Sequence, residues 1–126
     1  MSDLRPTGIT INLGGQERKL LFTLNAIDVL QDEHGKPIDE IVRSLTNDSN
    51  DHKVFISVVT ALLNDEADRE KTLNEKELPI VTPQLTGWLI DQSNYAEVFI
   101  AVLKAYGYSF PEPDEDSDPN TKSRRG

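Results

Sequence analysis

The stretch Ile9-Thr10-Ile11-Asn12-Leu13-Gly14-Gly15-Gln16-Glu17-Arg18-Lys19-Leu20-Leu21-Phe22 decides how this chain begins to fold. Ile9, Ile11 and Leu13 alternate with Thr10 and Asn12, the period of a half-buried strand. Gly14-Gly15 can supply the positive φ angles of a tight hairpin turn. A second strand is expected over Arg18-Lys19-Leu20-Leu21-Phe22, with Leu20 and Phe22 on one face and Leu21 opposite. An isolated hairpin is marginal in water, so its apolar face must rest on something. The helices that follow are the candidates.

Thr23 or Asn25 can cap the first of them, with Leu24, Ile27, Leu30 and Val29 as its buried stripe and Gly35 as a left-handed C-terminal cap. Pro37 opens a second helix, in which Ile38, Ile41, Val42 and Leu45 fall at i, i+3, i+4 and i+7. After the polar break Thr46-Asn47-Asp48-Ser49-Asn50, a third helix is expected over 51–63. Its broad stripe (Val54, Phe55, Val58, Val59, Ala61, Leu62) marks it as central. Residues 64–79 are dominated by charge and read as a fraying helix end or a mobile loop. Thr82-Pro83 starts a fourth helix with Leu85, Trp88 and Leu89 on one face. Asn94-Tyr95-Ala96-Glu97 resembles a capping box for a fifth, striped by Val98, Phe99, Val102, Leu103 and Tyr106 and ending at Gly107. Beyond Phe110 the run Pro111-Glu112-Pro113-Asp114-Glu115-Asp116 has nothing to bury and reads as disordered. The expected fold is therefore α+β and predominantly α. A β-hairpin packs on a bundle of about five short helices in one domain, 1–110, followed by an acidic tail, 111–126.

Composition narrows the function. The 126 residues carry 22 acidic and 13 basic side chains, a net charge of -9. Phosphate backbones and anionic membrane surfaces repel such a chain, so neither nucleic acid nor membrane is expected as a partner. The acid keeps the surface hydrated or attracts a basic partner. With no cysteine there is no disulfide, thiolate metal site or cysteine nucleophile. The start Met1-Ser2-Asp3-Leu4-Arg5-Pro6 does not read as a secretory signal, and no apolar run approaches the roughly 20 residues of a membrane span. A cytoplasmic protein is expected.

No motif supports catalysis, a metal or a cofactor. Asp114, Asp116 and Asp118 alternate as in a calcium loop, but Pro119 and Arg125 stand where that loop needs glycine and glutamate. His34 beside Gly35 suits a helix C-terminus, and His52 lacks ligand spacing. Ser44, Ser57 and Ser93 have no nucleophile-elbow context. Gly14-Gly15 is not followed by the Gly-Lys-Ser/Thr of a phosphate loop. What remains is binding. Helical spacing favours a core role for Trp88 and Phe99, while large aromatics also serve as interface anchors. The candidate partner-binding residues are Trp88, Tyr95, Tyr106, Tyr108 and Phe110, the last two lying past the final helix.

Four segments carry a resemblance: Ile11-Asn12-Leu13-Gly14-Gly15-Gln16-Glu17-Arg18, Leu21-Phe22-Thr23-Leu24-Asn25-Ala26, His34-Gly35-Lys36-Pro37-Ile38, and Val81-Thr82-Pro83-Gln84-Leu85. Together, over roughly residues 8–107, they resemble the tail assembly chaperones of long-tailed bacteriophages and prophages. The resemblance implies a non-enzymatic holdase in the host cell cytoplasm. Such a protein binds the tape measure protein, keeps it soluble and helps recruit tail tube subunits, and it can self-associate. In many such phages a frameshift also makes a longer form. The client would meet apolar patches on the fourth and fifth helices together with Tyr108 and Phe110. The alternative within the same setting is a structural tail or head–tail joining component of the virion. A third reading is an acidic adaptor that mimics nucleic acid toward a basic protein.

Overall fold

The computed structural model describes residues 8–46 and 52–108. Two antiparallel strands, β1 (Ile9–Leu13) and β2 (Gln16–Leu20), are followed by α1 (Leu24–His34), α2 (Ile38–Thr46), α3 (His52–Asn74), α4 (Pro83–Leu89) and α5 (Tyr95–Tyr106). This is the expected hairpin-plus-five-helix order. Phe110 and the acidic tail lie outside the described residues.

The hairpin differs from expectation in register. Gly14 and Gly15 both take left-handed φ, 61° and 78°, and close a two-residue turn that pairs Leu13 with Gln16. The second strand therefore starts at Gln16 rather than Arg18 and ends at Leu20, ahead of Phe22. Turn geometry outweighed the apolar run Leu20-Leu21-Phe22 in setting the strand. The core-facing side chains are Ile11, Leu13, Arg18 and Leu20, all buried. An arginine thus faces the core, opposite Ile11.

β2 lies on α3 and β1 on α5, while α3 also touches α1, α2 and α4. Helix α3 is central, as its broad stripe implied, but far longer than 51–63. It runs 23 residues, about 34 Å, so the charged run from Asn64 through Asn74 is helix, not loop. Glu66 and Ala67 are buried, which gives this charged stretch an inner face. Glu75 then adopts a left-handed φ of 54°, and the Lys76 N–H donates to the Glu70 carbonyl to close the helix. The chain returns beside α3, where Asn64 clamps Val81: its Nδ2 donates to the Val81 carbonyl (2.8 Å) and its Oδ1 accepts from the Val81 N–H (2.7 Å). This pair replaces the sheet partner that an extended, buried residue otherwise lacks.

Candidate partner-binding surface

Two of the expected caps form as read. Thr23 accepts from the Ala26 N–H, and Gly35, at φ 65°, donates to the Gln31 carbonyl. The Asn94 capping box does not form. Asn94 reaches backwards instead, accepting from the Asp91 N–H and donating to the Leu89 carbonyl. Asp91 in turn accepts from both the backbone and the hydroxyl of Ser93, and these bonds hold its carboxyl below the usual carboxylate range. The short link between α4 and α5 is thereby fixed in shape.

The polar centre of the molecule is structural. Arg18, 3% exposed, donates from Nε to Glu66 Oε1 at 2.8 Å and from Nη2 to the Leu63 carbonyl at 2.9 Å. The second Glu66 oxygen accepts from the Lys19 N–H. This set ties the hairpin to α3. Thr60 and Thr86 share a buried hydroxyl–hydroxyl bond that ties α4 to the same helix. His34 Nε2 and Ser57 Oγ lie 2.9 Å apart, a contact that the sequence did not indicate. Ser57 sits inside α3 and lines the groove between that helix and α1. Among the described residues no group of three or more His, Asp or Glu side chains could hold a metal ion. Nor, among them, is any helix long and apolar enough to cross a membrane.

The sequence-predicted contact residues do not form one patch. Tyr95 is half-buried among Phe55, Phe99 and His52, its ring 5.1 Å from Phe55 and stacked on Phe99 at 5.9 Å. Tyr106 stands at the other end of α5, edge-on to Phe22 at 5.3 Å and to Tyr108 at 6.1 Å. Burial, then the carboxylate of Asp39 and the neighbouring Tyr108, raise the Tyr106 hydroxyl above its ordinary pKa; Arg43 opposes this. Tyr106 and Tyr108 are brought together; Tyr95 is not among them. Trp88 is 71% exposed, so its expected core role is corrected. On the seven-residue α4, Thr86 turns inward and the tryptophan outward.

Further exposed apolar side chains escaped the pattern: Leu24 and Val29, read as part of a buried stripe, together with Leu73, Ile80 and Ile100. On α1 only Ala26 and Leu30 are buried, with Ile27 half-buried. The surface carries two grooves, of which the first includes some of these residues. One, about 780 Å³, lies between α1 and α3, with Val29 and Leu73 among its walls. The other, about 590 Å³, is lined by His52, Phe55, Ile56, Ile90 and Tyr95, with Asp91 at its edge.

No family model matches the chain, and neither a curated protein nor a solved structure matches it. The fold is that of a hairpin-led, predominantly helical α+β protein.

Proposed function

We propose that this protein is a tail assembly chaperone of a long-tailed bacteriophage or prophage. It binds the tape measure protein in the host cytoplasm, keeps it soluble and helps recruit tail tube subunits around it. The reading rests on the resemblance of the hairpin and helix-start segments. The observation that carries it physically is the set of large apolar side chains left in water by a well-filled acidic domain. Leu24, Val29, Leu73, Ile80 and Trp88 are all more than half exposed, while the core beneath them is closed by fully buried Leu20, Leu30, Phe55, Leu62 and Val102. Of the exposed set, Val29 and Leu73 share one groove between α1 and α3, and apolar side chains gathered on one surface, unlike singly scattered ones, support a protein-binding role. A net charge of -9 keeps such a protein soluble despite that surface. Reversible capture of apolar helices needs this combination and no catalytic group.

The test is co-expression with a tape measure protein from the same genome. Soluble client and co-purification are the expected results. Insoluble client with no co-purification refutes the reading, and retention of this chain in purified particles moves it to the structural alternative.

A further inference from the structure

The groove between α1 and α3 has walls and charge that select one kind of partner. We propose that it receives an amphipathic helix whose apolar stripe is flanked by lysine or arginine. In taking the client as the source of that helix, this assignment rests on the chaperone reading; the chemistry of the groove does not.

The lining includes small residues from both helices, Ala26 on α1 with Ser57 and Ala61 on α3. Small side chains let a third helix approach to the 8–10 Å axial distance typical of packed helices. Val29 and Leu73, one from each flanking helix and 53% and 70% exposed, stand ready to cover its apolar stripe. The occupant is helical for a reason of backbone chemistry. Past the first turn of α1, the amides and carbonyls of α1 and α3 along the groove bond within their own helices, so an extended segment would bury unpaired backbone groups there. A helix brings its own hydrogen bonds. From Ser57 to Leu73 the groove follows α3 for about 24 Å, room for roughly four turns.

Charge decides the flanks. Asp28, Glu33, Asp65 and Asp68 line the groove, against Arg69 alone among its lining residues. Arg69 is committed to Asp65 at 2.8 Å, and that carboxylate also accepts the Thr23 hydroxyl. Asp28, Glu33 and Asp68 are left to meet the incoming helix, and a flank of glutamates would be repelled.

The test uses the full chain and three synthetic peptides of about 18 residues, long enough for helix formation. One carries a Leu/Ala stripe at helical spacing with flanking lysines. The second replaces the lysines with glutamates, and the third scrambles the first. Binding is read by fluorescence anisotropy and by amide chemical-shift mapping. The lysine-flanked helix is expected to bind at least about tenfold tighter than either control, with shifts on α1 and α3. The variant Val29→Lys/Leu73→Lys, which alters only exposed positions, should lose about tenfold in affinity while keeping its unfolding midpoint. Thr10→Ala, at an exposed neutral position on the hairpin outside the groove lining, should leave peptide affinity unchanged.

Equal binding by the scrambled peptide, or shifts confined to the Tyr95 groove, overturns the assignment, and neither result requires a variant. Undiminished capture of the tape measure protein by the lysine variant overturns the groove and leaves the chaperone reading standing. Groove binding of the peptide by wild-type chain that captures no tape measure protein supports the groove and refutes the chaperone reading.

Discussion

Glu66→Ala tests the tie between the hairpin and the central helix. In the native chain the Glu66 carboxylate meets the Arg18 guanidinium at 2.8 Å and the Lys19 amide at 3.0 Å. Truncation leaves the Leu63 carbonyl as the remaining acceptor for a guanidinium that is 97% withdrawn from water. Removing one member of a buried pair costs about 3–5 kcal/mol, because the other charge stays desolvated. The Lys19 amide is only part-buried, so rehydration leaves it little added cost. A total near 4 kcal/mol is a large share of the roughly 5–15 kcal/mol that holds a domain together. Replacing both partners, Arg18→Met with Glu66→Leu, removes the charges while filling the space, and should return stability to within about 1 kcal/mol of the native chain. The exposed pair Arg43–Asp39 is the internal control: Asp39→Ala should cost no more than about 0.5 kcal/mol. Urea unfolding followed by circular dichroism reads all three. With m near 2 kcal/mol/M, Glu66→Ala moves the midpoint down by about 2 M with unchanged m. A loss below about 1 kcal/mol, or a double variant as weak as the single one, would refute the buried tie.

Asn64→Ala should free the 75–82 segment from α3, costing about 1–3 kcal/mol and sharply raising hydrogen exchange at the Val81 amide, which loses its acceptor. At the hairpin turn, Gly14→Ala combines a positive φ with a Cβ that would sit 2.8 Å from Leu89 Cδ2, so a loss of about 1–3 kcal/mol is expected. Gly15→Asn, with open space around the site and a residue tolerant of left-handed φ, should stay within about 0.5 kcal/mol; equal melting shifts for the two would contradict the turn. Tyr106 has a raised pKa in the folded state, so its contribution is complete below the ordinary tyrosine value of about 10 and is lost as pH rises beyond it. Tyr106→Phe should therefore remove a late-titrating phenol from an ultraviolet titration and flatten the alkaline fall in stability.

Element order was legible because each boundary carries its own chemistry. Gly14-Gly15, Thr23, Gly35, Pro37, Thr82-Pro83 and Gly107 stand at turns and caps that local geometry requires. Non-local pairing was not legible. The charged run from Asn64 breaks the apolar periodicity and so reads as either a fraying helix end or a loop. It becomes helix because Arg18, 48 residues earlier, neutralises Glu66 on its inner face. Arg18 itself faces inward only through the register of a two-residue turn. The same limit applies to the binding surface. Tyr95 and Tyr106 belong to one helix in sequence but lie at its opposite ends against different rings. Trp88 fits an apolar stripe on paper, but a single-face helix of two turns buried Thr86 instead. Val29 and Leu73, 44 positions apart, share a groove only because α1 and α3 pack side by side.

The central claim is that exposed apolar surface on this chain holds a helical tail protein in solution. Its most direct measurement is the soluble fraction of the tape measure protein, co-expressed with native chain or with Val29→Lys/Leu73→Lys/Trp88→Ala. A soluble, co-purifying client with the native chain and an insoluble client with the folded triple variant are expected. A client equally insoluble with either, or equally soluble with both, would contradict the claim.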